Sequence, residues 1–240
     1  MEWRDTGIIL ATRMHGETSA VAEVLTADHG RCLGLVRGGR SRRSRPVLQP
    51  GNLVDVHWYA RLEEHLGSFQ VEPVALRAGL IMDDRFKLAG LSTIAALAQL
   101  LPEREPHRKL YDASHILLEA IDNDDIWPAL LVRWELGFLE ELGFGLDLAK
   151  CAATGLADDL RFVSPRTGRA ISGVAGAPYE QKLFLLPSFL QGQTPGEASD
   201  VSAGLRLTGH FLERHVLGPR AVAMPHQRDW LVSEIAQRML

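Results

Sequence analysis

The chain has 240 residues, 46% of them hydrophobic, and a formal net charge of −4. It can bury one large core or two small ones, and any attraction to a polyanion must come from local segregation of charge. Its two cysteines, Cys32 and Cys151, are too far apart in sequence for a disulfide framework, the start Met1-Glu2-Trp3-Arg4-Asp5 is unlike a signal peptide, and no apolar run approaches the roughly 18 residues of a membrane span, so a cytoplasmic protein with no membrane partner is expected.

Strand patterns come first. Residues 6–12, 20–26 and 31–37 read as β-strands, with Asp28-His29-Gly30 as a turn and Gly34 as a bulge or bend in the third. A fourth covers 53–61, with Val54, Val56 and Trp58 on one face and Asp55, His57 and Tyr59 on the other. A fifth, residues 67–72, is stopped by Pro73. Five short strands separated by turn signals indicate a small all-β unit, either an OB-type Greek-key barrel or an SH3-like one.

Between the third and fourth strands lies the most unusual stretch, Val36 to Gly51. Arg37, Arg40, Arg42, Arg43 and Arg45 fall within nine residues, and no Asp or Glu occurs between Arg31 and Arg45. Like charges this dense must stay in water, so the stretch reads as a mobile basic loop rather than a packed strand. Arginine suits forked phosphate contacts. Arg31, Arg37, Arg40, Arg42, Arg43 and Arg45 are therefore the candidate DNA-binding residues. A solvated loop with no partner is the plain alternative.

The period changes from two to 3.6 near residue 80, which marks a domain boundary: a barrel over 1–80 and a mainly helical domain over 81–240. One helix starts near Asp83 and ends at Pro102. A second carries Leu110, Ser114, Leu117, Leu118 and Ile121. A third is capped by Asp124 or Asp125, tolerates Pro128 in its first turn and carries Trp127, Leu131, Trp134 and Phe138. Residues 151–177 read as a short β-hairpin, anchored by Phe162, Val163 and Ile171. Helical pattern returns over 179–191, 199–217 and 226–240. The fold class is α+β, a five-stranded OB-type barrel followed by helices with a hairpin insertion.

The order of these elements, with Gly7–Glu17, Leu25–Arg31, Val36–Arg40, Leu48–Asn52, Arg133–Leu139 and Gly143–Gly145 at their spacing, resembles the RecO family of bacterial recombination mediators. The resemblance implies an N-terminal OB barrel and a helical domain. It implies binding of single- and double-stranded DNA, strand annealing, contact with the C-terminal tail of single-stranded-DNA-binding protein, pairing with RecR and, indirectly, loading of RecA. It implies association with the nucleoid. Many members also carry a four-cysteine zinc site that begins at the position of Cys151. Here Cys151-Ala152-Ala153-Thr154 lacks the second cysteine and none follows, so no structural zinc and no other cofactor is expected.

No nucleophile elbow, P-loop or zinc-protease helix motif occurs, so no catalytic residue is assigned and a non-enzymatic mediator is expected. The acids at Asp83–Asp84 and Asp122–Asp125 are better explained as helix caps than as metal ligands. A second candidate site is Arg133, beside Leu130 and Trp134 on the third helix. A cation at an apolar groove suits a peptide ending in a carboxylate, for which the resemblance supplies the tail of single-stranded-DNA-binding protein. A salt bridge to Glu140 is the plain alternative. The competing functional reading is an adaptor whose helices dock acidic tails without direct DNA binding.

Overall fold

The computed structural model describes residues 1–62, 64–192 and 198–238. It divides into two compact units, Met1–Glu119 and Ala120–Leu240. The change of period near residue 80 is where strands give way to helices, and the first two long helices belong to the first unit.

The first unit is built on β1 (Glu2–His15), β2 (Ser19–Thr26), β3 (Gly30–Val36), β4 (Leu53–Tyr59) and β5 (Ser68–Ala75). They form a closed barrel in the order β1-β2-β3-β5-β4, with β1 pairing back to β4 and a parallel contact between β3 and β5 at Leu35 and Ser68. This is the OB arrangement and excludes the SH3-like alternative. Alternation dictates the core: Val54, Val56 and Trp58 are buried together with Ile9, Val24, Cys32 and Phe69. Burial of the Cys32 thiol raises its pKa to about 11, as fits a small core residue.

Two expectations about strands are corrected. Gly34 makes no bulge, since β2 and β3 pair in unbroken register. A Cβ there would sit 2.4 Å from the ring of Phe69, so the glycine makes room for a core aromatic. Pro73 does not end β5, which continues to Ala75. It pairs opposite Val54 at a register shift, where a missing N–H is tolerated.

The connection from β3 to β4 contains the short α1 (Ser44–Val47), and β5 leads through α2 (Ala78–Ile81) to α3 (Arg85–Ala98) and α4 (Arg108–Glu119). Asp84 caps α3, accepting from the N–H groups of Phe86 and Lys87.

In the second unit, α5 (Trp127–Glu141) buries Trp127, Leu131, Trp134 and Phe138, and the last two rings stack at 5.5 Å. Its expected aspartate cap does not form. The N-cap is Ile126, and the Asp124 carboxylate instead accepts from the Trp127 indole N–H at 3.2 Å. The hairpin is β6 (Leu160–Val163) with β7 (Ala170–Ser172), widened to three strands by β8 (Phe184–Leu185) on the other side of β6. Phe162 and Val163 are buried and Ile171 is half-buried. α6 (Gly173–Gly176) follows β7. The helix expected over 179–191 is absent: 3-10 turns at Ala177–Lys182 and Ser188–Gln191 flank β8. Pro187 would break an α-helix there.

α7 (Ala198–Leu212), prolonged by a π-turn over Glu213–Leu217, packs against α5 and α8 (His226–Gln237). Positions 239–240 of the last predicted helix lie outside the described residues. Glu135 on α5 is fully buried and meets Arg228 of α8 in a two-pronged pair at 2.7 and 2.8 Å. The Thr208 hydroxyl of α7 donates to the same carboxylate, so three helices share one polar knot in an apolar core.

Candidate nucleic-acid interface

After Val36 the backbone turns through Gly38 and Gly39. A Cβ on Gly39 would lie 2.8 Å from the Cβ of Ala20, so only glycine lets the segment close against β2. The Arg40 N–H donates to Thr18 O at 3.0 Å, and its guanidinium to Gly16 O at 2.8 Å, joining the segment to the β1–β2 turn. The Ser41 hydroxyl accepts from the Ser44 N–H at 3.1 Å and starts α1.

The far end is held from beneath. Leu48 is buried, and its carbonyl accepts from the Thr12 hydroxyl at 2.7 Å. The fully buried Asn52 side chain donates to Pro46 O at 2.7 Å and Val47 O at 3.0 Å, and accepts from the Ala78 N–H at 3.0 Å. The stretch expected to be a mobile loop is thus tied to the barrel along its length, because glycine, serine and asparagine satisfy its backbone where strand pairing stops.

On this frame Arg37, Arg40, Arg42, Arg43 and Arg45 are all exposed. Among the described residues none of the five forms an ion pair with a carboxylate. The result is a dense cationic surface on a molecule of net charge −4.

Arg31 is different and corrects its inclusion in the patch. Its side chain is 14% exposed and donates to Glu23 at 2.5 Å and to Leu101 O at 2.7 Å, with Glu103 at 3.6 Å. It neutralises the buried Glu23, as does Arg13 from 3.7 Å. The sequence did not single out Arg13, which is 70% exposed near the end of β1. Thr12, Met14 and His15 around it are exposed as well, so no alternation pointed to it, and only the fold brings Glu23 within its reach.

The second candidate site is only partly assembled. Arg133 is exposed on α5, but its guanidinium donates to Phe189 O at 2.5 Å and lies 6.0 Å from the centre of the Phe189 ring. It does not pair with Glu140. Leu130 is half-buried. Trp134 is 1% exposed within the core and cannot line a docking groove, which corrects its assignment. The i, i+1 spacing from Arg133 puts the two on different faces of the helix.

The histidines do not converge. His57 lies 3.3 Å from Glu2, and His210 contacts Pro165 O at 3.0 Å. His215 sits among aromatic rings, where desolvation lowers its pKa. Around Cys151 the partners are hydroxyl and amide groups. Its sulfur accepts from the Ser172 N–H at 3.2 Å, and its thiol donates to the Ser172 hydroxyl at 3.5 Å. A closed zinc site takes thiolate or imidazole ligands, so these residues do not fit that metal. Among the described residues no helix is long and apolar enough to cross a membrane.

Family comparisons agree with this architecture. The family model described as "Recombination protein O N terminal" matches residues 1–77, and "Recombination protein O C terminal" matches residues 82–222. A "DNA repair protein RecO" of Mesorhizobium japonicum is 54% identical over 231 residues, covering 95% of this chain and 91% of that protein. One from Rhizobium etli is 53% identical, covering 97% and 91%, and one from Brucella abortus is 50% identical, covering 99% and 97%. With an OB barrel, a helical unit and near full-length similarity of this degree, the chain belongs to the RecO family.

Proposed function

We propose that this protein acts in DNA repair and recombination as a non-enzymatic mediator that binds and anneals single strands. Family membership supports the broad role. The observation that carries the specific reading is the row of five exposed arginines on a hydrogen-bonded frame, without a carboxylate neutralising any of them. Such a surface lowers the mutual repulsion of two phosphate backbones and lets complementary strands approach. It reads charge rather than base sequence, so little sequence preference is expected.

By the same reading the protein works in the cytoplasm at the nucleoid, on single- and double-stranded DNA. It pairs with RecR and takes the C-terminal tail of single-stranded-DNA-binding protein near Arg133, favouring RecA loading. Arg133 supports the last contact only as an exposed cation beside Phe189. The test is annealing of two complementary labelled oligonucleotides followed by energy transfer. The protein should accelerate annealing, and Arg42→Ala with Arg43→Ala should remove most of that acceleration while leaving the fold intact. Annealing at the wild-type rate by this variant would refute the assigned surface.

A further inference from the structure

The arginine segment does more than present charge, because a cleft of about 330 Å³ opens between it and the end of β1. Met14 and Pro50 give it an apolar edge beside the buried Ala20 and Leu48, and Arg40 and Arg45 stand on its polar side. Met14 is 78% exposed and so is free to meet a ligand at this cleft. The rest of the frame is rigidly specified: Arg40 is fixed to the β1–β2 turn, Leu48 is sunk in the barrel core, and the Thr12 hydroxyl holds the Leu48 carbonyl. The cleft is therefore a built feature of the segment.

We infer that this cleft receives one unstacked base of a single strand, with Arg40 and Arg45 holding the phosphates on either side of it. The inference rests on the DNA-binding reading above. The occupant follows from the chemistry of the walls. A purely phosphate-binding surface needs only cations, whereas a nucleotide combines an anionic link with a flat apolar ring, and this cleft sets an apolar edge beside two guanidinium groups. Methionine is polarizable and adapts its shape to such a ring. The volume lies at the lower end of small-ligand pockets and suits a single base with its sugar. Duplex bases are stacked and paired, and drawing one out costs a few kcal/mol. The cleft thus gives a barrel that otherwise reads only charge a means of preferring single strands over duplex.

The test compares an oligothymidylate with an abasic strand of equal length and equal phosphate number, both titrated against the full chain at one salt concentration. The wild type should bind the oligothymidylate about tenfold more tightly, within the range of a single base contact. Met14→Gln keeps the length of the side chain on an exposed position and should lose most of that preference while binding the abasic strand unchanged. Arg42→Ala with Arg43→Ala should weaken both strands alike and keep their ratio. Equal wild-type affinity for the two strands would overturn the base cleft while leaving DNA binding intact. A wild-type preference that survives Met14→Gln would overturn its location here. Binding to neither strand would remove the DNA-binding reading and the cleft with it.

Discussion

Asn52→Ala separates the scaffold of the basic segment from its charge. The Asn52 side chain is fully buried and makes three hydrogen bonds, to the carbonyls of Pro46 and Val47 and from the amide of Ala78. Alanine leaves these three backbone groups without their side-chain partner in a part-buried region. A fully buried group so stranded costs about 1–3 kcal/mol, and these are only part-buried and two of them are carbonyls, which tolerate partial pairing, so the total should be about 3 kcal/mol. Urea unfolding of the full chain would read the loss as a lower midpoint at an unchanged slope. All five exposed arginines remain, so DNA affinity should fall modestly through a looser frame, while its dependence on salt stays that of the wild type. A stability change below about 1 kcal/mol would refute the view that Asn52 holds the segment to the barrel.

Glu135→Leu should cost about 3–5 kcal/mol, because Arg228 is then buried without its carboxylate. Glu135→Leu combined with Arg228→Met should recover much of that loss, as read by the same unfolding assay. Arg31→Ala should destabilise the barrel by about 1–3 kcal/mol by depriving buried Glu23 of its nearer cation, yet leave the salt dependence of DNA binding unchanged. Burial works to raise the pKa of Asp5, but hydrogen bonds from the His29 ring and from the amides of Asp28 and Thr6 outweigh it and hold the pKa below the usual 3.8. A depressed carboxylate stabilises the fold above its unfolded pKa and loses that contribution as pH falls through its folded pKa. Asp5→Asn should therefore lower stability at pH near 7 by about 2 kcal/mol, and the gap to wild type should close below pH near 4.

The barrel was legible because alternation states which face of a strand is buried. Val54, Val56 and Trp58 could be assigned to the core from residue order alone. The exposure of Arg37, Arg40, Arg42, Arg43 and Arg45 was equally legible, since five guanidinium groups in nine residues cannot share a dry interior. What escaped were partnerships across long sequence gaps. Arg31 looks like a member of the basic run, and only the fold brings Glu23 beside it. Glu135 reads as an ordinary polar helix residue until Arg228, far along the chain, meets it in the core. Trp134 was misjudged because adjacency to Arg133 in sequence is not adjacency on a helix surface. The order within the basic segment also escaped, because it depends on Asn52 and Thr12, neither of which carries charge.

The account is tested most directly by titrating a labelled single strand against the wild type and the Arg42→Ala, Arg43→Ala variant across a range of salt. If three to five arginines meet phosphates, the logarithm of the wild-type binding constant should fall with the logarithm of salt at a slope of about −2 to −3.5. The variant should bind more weakly, with a slope shallower by about 1.4. Tight binding by the variant at the wild-type slope would contradict the claim that this segment draws in the DNA.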